Sequence, residues 1–184
     1  VTITSSGGTT TSGDITTTND AITFASATTL GGAIALLAGS GDILFSSTLA
    51  DASRVLTITS AGTATFVGNV TLSDLILPAS AATVTFNGTA NAFTANVDFR
   101  NSGLVTFGNA TGDGSSFDAG ATFTGGSAVA LQGTITTTND ALTFPAAVTL
   151  GAASALNTGG GNIQFATTLD GAQNLTITAG TGNV

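Results

Sequence analysis

An apolar-x-Phe triplet recurs eight times at near-regular spacing in this chain, and that spacing limits the accessible folds more than any other feature. It reads ITF at Ile22–Phe24, ILF at Ile43–Phe45, ATF at Ala64–Phe66 and VTF at Val84–Phe86 and Val105–Phe107. Further on it reads ATF at Ala121–Phe123, LTF at Leu142–Phe144 and IQF at Ile163–Phe165. The numbering advances by 20 or 21 from each of these phenylalanines to the next, except for one step of 16 between Phe107 and Phe123. VTI at Val1–Ile3 supplies a ninth copy, with Ile3 in the Phe slot one full step before Phe24. A fixed period of this length marks a stack of repeated units, each too small to bury its own apolar face.

A longer period lies over the short one. GDITTTNDAITF from Gly13 matches GTITTTNDALTF from Gly133, an offset of six short units. Without gaps, residues 13–54 and 133–174 are identical at 24 of 42 positions. The chain therefore contains a duplicated segment within one repeat array spanning 1–184.

Within a unit, apolar-x-Phe places two side chains on one face of a strand, because strand side chains alternate with period two. Two residues after the Phe slot stands a small or short residue, such as Ser26, Ser47, Gly68, Gly88 or Gly125, as a corner requires. A second short strand follows, clearest in NVTLSDL from Asn69 and AVTLGAA from Ala147, with Val70 and Leu72, or Val148 and Leu150, pointing inward. Lys and Glu are absent, while Thr, Val, Ile, Phe, Gly, Asn and Ala dominate, so strands and turns are favoured over helices. The expected fold is all-β, a parallel β-solenoid with coils of about 20–21 residues and about nine coils. At an inter-strand spacing of about 4.8 Å such a rod is roughly 40 Å long, with the repeated Phe side chains in an interior column.

Composition excludes several function classes. The net charge is −8, and Arg54 and Arg100 are the only basic residues, too few to neutralise a row of phosphates. Nucleic acid is not an expected partner. The longest apolar run, Ala33 to Ala38, is far short of the roughly 20 residues of a membrane helix, and there is no Trp or Tyr for an aromatic girdle. No membrane insertion is expected. With no His, Cys, Lys, Glu or Tyr, the usual general bases, nucleophiles and transition-metal ligands are missing, and the Asp residues are scattered over turn-like positions. An enzyme is not expected, and no catalytic or cofactor-binding residue is assigned. NTGGGN from Asn157 lacks the Lys and helix of a phosphate loop.

Three features carry functional alternatives. GDGSSFDAG from Gly112 resembles a Gly/Asp calcium loop, in a single copy, so Asp113 and Asp118 are the one candidate pair for a calcium ion and no metal site is assigned. Thr2, Thr23, Thr65, Thr85, Thr106, Thr122 and Thr143 precede the Phe slot and form an outward ladder. Such a ladder could meet an ice lattice or could serve strand propensity alone. TTTND at Thr16–Asp20 and Thr136–Asp140 reads as a turn, with Asn and Asp able to take left-handed conformations. The irregular stretch 87–121 holds extra Phe93, Phe99 and Phe117, Arg100 and the one shortened unit. It is where a receptor-binding insertion is expected if the protein is an adhesin.

LTITSAGTATFVGNVTL from Leu56 and DGAQNLTITAGTGNV from Asp170 resemble the β-strand repeats of large secreted bacterial surface proteins, of the filamentous haemagglutinin type and autotransporter passengers. The resemblance covers nearly the whole chain. It implies a right-handed β-solenoid on the outside of a bacterial cell, acting as an adhesin stalk, biofilm matrix fibre or surface filament.

Val1-Thr2-Ile3 already reads as a core strand, and AGTGNV at the end leads towards the next Phe slot. Neither end shows a polar cap. The expectation is a segment of a longer solenoid, or one unit of a polymer in which coils stack head to tail. The expected function is structural, in an extracellular fibre, filament or stalk whose partner is its own kind. Any receptor is left open.

Overall fold

The computed structural model describes residues 1–51 and 53–184. The chain is a parallel β-solenoid, with three strands in each coil and no helix among the described residues. The first face is a nine-stranded sheet running from Thr2–Ile3 through Ile22–Phe24, Ile43–Phe45, Thr63–Phe66, Thr83–Phe86, Val105–Phe107, Val129–Leu131 and Val148–Leu150 to Leu169–Asp170. The second face is also nine-stranded and runs from Thr9–Thr11 to Leu175–Thr178. The third consists of two four-stranded sheets, Ile15–Thr16 to Asp74–Ile76 and Val97–Asp98 to Ile163–Phe165, joined by a parallel bridge between Leu77 and Phe99. The chain thus completes a little over eight turns, close to the nine expected. Each coil has a third strand beyond the two expected.

The pairing register shows how the coils are measured out. Ile3 pairs with Phe24, Phe24 with Phe45, Phe45 with Phe66, Phe66 with Phe86 and Phe86 with Phe107, so the first five steps follow the sequence period. Phe107 then pairs not with Phe123 but with Leu131, a step of 24 in the numbering, and Leu131 pairs with Leu150, a step of 19. The short spacing between Phe107 and Phe123 is therefore not a shortened coil. It is two thirds of a lengthened one: three strands and their corners take a step of at least 19 in this rod, and a step of 16 cannot close the circuit. Phe123 follows the third-face strand Ala121–Thr122, and Phe144 and Phe165 continue that face.

The eight phenylalanines expected in one interior column thus lie in two, and with Phe93, Phe99 and Phe117 the chain holds three columns. Phe24, Phe45, Phe66, Phe86 and Phe107 stack on the first face, with ring centroids 4.6, 5.2, 4.9 and 5.6 Å apart and planes within 7° of parallel. Phe93 and Phe117 stack at 4.9 Å on the second. On the third face Phe99, Phe123, Phe144 and Phe165 follow at 4.9, 5.3 and 5.3 Å. Where the columns overlap they meet edge-on: Phe86 with Phe93 at 5.6 Å and 80°, Phe99 with Phe107 at 5.5 Å and 88°, Phe107 with Phe117 at 5.9 Å and 87°. Edge-to-face and offset-stacked geometries are the two that the ring quadrupole favours. The outer coils hold one ring beside aliphatic residues such as Leu30, Leu36 and Ile58; the central coils are filled by rings from all three faces.

The duplicated segments consequently occupy different faces. Ile22–Phe24 lies on the first face, whereas its copy Leu142–Phe144 lies on the third, five and two-thirds turns later rather than the expected six. Likewise Val148–Leu150, expected to match the second-strand position of Val70–Leu72, belongs to the first face.

Corners are held partly by side chains that reach one coil onward. The carboxylate or carboxamide oxygens of Asp14, Asn19, Asp42, Asn69 and Asn162 accept from the backbone N–H of Ala35, Ser40, Thr63, Ala90 and Asn183, each one coil later, at 2.7–3.1 Å. These bonds satisfy backbone amides at corners and at the starts of strands such as Ile34–Leu37, Thr63–Phe66 and Ala90–Phe93.

Candidate functional site

The irregular stretch 87–121 is where the sequence placed a candidate receptor site, and its residues divide sharply by burial. Phe93, Phe99 and Phe117 are 1%, 0% and 0% exposed and form part of the ring cluster. They are core residues and present nothing to a receptor, which corrects the expectation for Phe93. Their density reflects the hand-over between Phe columns. Arg100 is exposed, at the corner after the third-face strand Val97–Asp98.

Arg100 lines a hollow of about 230 Å³ with Asp74, Ile76, Leu77, Asn96 and Asp98. The hollow lies at the seam of the third face, where one bridge joins the two four-stranded sheets. Pro78 follows Leu77 and has no N–H to extend the ladder. Asp98 is also tied to its own face, accepting from the Thr124 hydroxyl with both carboxylate oxygens at 2.7 and 2.8 Å. Ile76 is 43% exposed at this rim.

The lengthened coil spends its additional residues in the loop from Gly108 to Asp113, between the first and second faces. Asp113 anchors it, its Oδ2 accepting from the N–H of Asn109 and Ala110 at 2.7 and 3.0 Å. Beside the loop lies a hollow of about 300 Å³ on the second face, lined by Thr89, Asn91, Gly114, Ser116, Thr134 and Thr136. Its floor is polar and buried. Asn91 Oδ1 accepts from Val70 N–H at 3.1 Å, while its Nδ2 donates to Gly88 O at 3.1 Å and to Ser115 Oγ at 3.2 Å. Sequence reading misses this node, because an Asn at an inward strand position carries no signal of its own.

Asp113 and Asp118, the candidate calcium pair, stand at opposite ends of the strand Gly114–Phe117. Five steps of roughly 3.3 Å separate their backbones by about 16 Å, so the two carboxylates cannot share one ion. Asp113 is buried and Asp118 exposed. No group of three or more His, Cys, Asp or Glu side chains gathers among the described residues.

The outward Thr ladder divides with the Phe column. On the first face the outward positions read Thr2, Thr23, Leu44, Thr65, Thr85, Thr106, Ala130, Thr149 and Asp170. Thr122 and Thr143 are on the third. Thr-x-Thr pairs with both threonines inside a first-face strand occur twice, at Thr63/Thr65 and Thr83/Thr85. Each TTTND motif leaves a strand, Ile15–Thr16 or Thr134–Thr137, and turns at its asparagine, with Asn19 at φ 64° and Asn139 at φ 63°.

A third hollow, of about 510 Å³, is lined by Thr122, Phe123, Thr124, Ala141, Thr143 and Pro145 on the third face. No protein-family model, curated protein or solved structure matches the chain.

Proposed function

We propose that this chain is a structural element of an extracellular β-solenoid, serving as part of a cell-surface fibre, filament or adhesin stalk in which coils stack end to end. The observation that carries this reading is the continuity of the interior. Two sheets run through nine strands each, and the aromatic columns pass from face to face across the irregular coil with no ring left exposed in the overlap. A continuous parallel ladder makes every coil a template for the next, which suits extension along one axis. With charge limited to 7% of residues, the faces offer little for specific electrostatic recognition.

Electron microscopy of the native material tests this. Filaments or long stalks with an axial rung of about 4.8 Å are expected; discrete short particles would overturn it. A second reading, an adhesin module, is favoured by Arg100, an exposed cation set in a hollow beside Asp74 and Asp98. The two-rung extent of the paired Thr array gives ice binding less support than either.

A further inference from the structure

Among the asparagines of the chain, Asn69, Asn87, Asn109 and Asn174 begin an Asn-x-Thr tripeptide: NVT, NGT, NAT and NLT. In a chain this rich in Thr and Ser, that number alone means little. Their placement is more informative. Asn69 follows the first-face strand Thr63–Phe66 and precedes Val70–Leu72; Asn87 lies between Thr83–Phe86 and Ala90–Phe93. Asn109 lies between Val105–Phe107 and Gly114–Phe117, and Asn174 between Leu169–Asp170 and Leu175–Thr178. All four therefore stand on the corner that joins the first face to the second. No other asparagine stands on that corner, and none elsewhere has Thr or Ser two residues on. The hydroxyl partners Thr71, Thr89, Thr111 and Thr176 are all exposed, and Thr89 and Thr111 lie outside strands, so strand propensity does not account for them.

We propose that this corner is a glycan-bearing edge, with Asn109 and Asn174 as its modified residues. The inference rests on the extracellular reading above, since Asn-x-Thr is an acceptor sequence of exported proteins. In the transfer, a bond forms between Asn Nδ2 and the anomeric carbon of the sugar. The bond from that carbon to the diphosphate of a nucleotide- or lipid-linked donor breaks; the diphosphate leaves with its electron pair, and Nδ2 gives up one proton.

Geometry selects among the four. Asn109 and Asn174 are exposed, and Asn109 stands on the loop of the lengthened coil, clear of the strands. Asn69 is half-buried, and its Oδ1 accepts from Ala90 N–H at 3.1 Å and the Thr89 hydroxyl at 3.3 Å, holding the carboxamide against the next coil. Asn87 is half-buried and lies one coil from both Asn69 and Asn109, at a rung spacing of about 4.8 Å that leaves little room for sugars on successive coils. A sugar at Asn109 covers the corner without crossing the flat faces.

The test is peptide mass spectrometry of the native protein, with the same chain from a host that does not glycosylate protein as the mass reference. Hexose or N-acetylhexosamine increments are expected on Asn109 and Asn174, with Asn69 bare. N109Q and N174Q should each remove one increment, and T111A and T176A should do the same while leaving the asparagine in place. Unmodified Asn109 and Asn174 would overturn the proposal, and so would sugar confined to Ser or Thr or present equally on Asn69. Fractionation of the same cells separates the two readings: a bare chain at the surface sinks the glycan edge alone, whereas a bare chain inside the cell sinks the extracellular reading with it.

Discussion

Phe107 and Phe123 meet edge-on, with centroids 6.3 Å apart and ring planes at 90°. Less than one coil separates them in sequence and they belong to two faces of the same rod, so this contact marks where the aromatic column passes from the first face to the third. The slack that allows it lies in the corner loop 108–113, where Ala110, Thr111 and Gly112 are exposed. Deleting Ala110–Gly112 would return this coil to the length of most of the others. Circular dichroism of that variant is expected to keep the β signature with a lowered melting temperature: closure entropy changes by only tenths of a kcal/mol, but the buried Asp113 carboxylate loses the Ala110 N–H. Loss of the cooperative transition would show that the loop holds the hand-over in place.

Phe86 touches four rings: Phe66 and Phe107 by stacking and Phe93 and Phe99 by their edges. Phe86→Ala should therefore destabilise by about 3–5 kcal/mol, the range for emptying a tightly packed aromatic site. Phe165 is partly buried and stacks on Phe144 alone. Phe165→Ala should cost about 1 kcal/mol, because less surface returns to water. Denaturant titration of the two variants would distinguish this gradient from a core in which every Phe slot is equivalent.

These two variants also show what the sequence could reveal. Period-two alternation and the near-constant Phe spacing made the strands, the coil length and the burial of the Phe slot legible, since each follows from local pattern. The hand-over was not legible. All three faces require the same apolar-inward alternation, so ALTF from Ala141 reads the same on any of them. The phase is carried by coil length, which is set in corner residues such as Asn109, Ala110 and Thr111 that have no hydrophobic signature. For the same reason Phe93 and Phe117 read as an insertion, although they belong to a second stacked pair. Of the candidate site, Arg100 was legible as the one cation in the irregular stretch, whereas the hollow around it depends on the third-face seam.

Asn91 makes a sharper demand than any apolar residue nearby. It is 3% exposed and engages Val70 N–H, Gly88 O and Ser115 Oγ. Asn91→Leu keeps the volume but strands three buried polar partners, each costing about 1–3 kcal/mol. A loss of roughly 3 kcal/mol or more is expected by chemical denaturation. Ser115→Ala removes one of these contacts and should cost about 1 kcal/mol. Equal effects from the two would show that Asn91 is not the centre of the node.

Asn19 combines a left-handed backbone at φ 64° with a 2.9 Å bond from Ser40 N–H to its Oδ1. Asn19→Ala loses both and should destabilise by about 1–2 kcal/mol. Asn19→Gly removes only the bond while easing the backbone, and should recover part of that loss. Gly39, itself at φ 63°, faces this carboxamide so closely that an added Cβ would lie 2.3 Å from Asn19 Oδ1. Gly39→Ala should therefore be at least as damaging as Asn19→Ala. Melting temperatures of the three variants give the order, and a neutral Gly39→Ala would contradict the packing of this turn.

Attachment to a receptor, if this chain mediates any, should depend on Arg100 and not directly on Phe93. Arg100 is exposed among Asp74, Asn96 and Asp98, so Arg100→Ala should leave thermal stability within about 0.5 kcal/mol of the parent, as for a surface residue outside any buried network. Phe93, at 1% exposure and stacked on Phe117, cannot be truncated without opening the core, and its Ala variant should lose about 3–5 kcal/mol. Attachment lost with Phe93→Ala would therefore report unfolding. The informative comparison pairs a binding assay on cells with a melting curve for each variant. Reduced attachment by Arg100→Ala at unchanged stability would favour the adhesin reading over a purely structural rod. Undiminished attachment by a stably folded Arg100→Ala would remove the seam hollow as the receptor site and leave the rod as the better account.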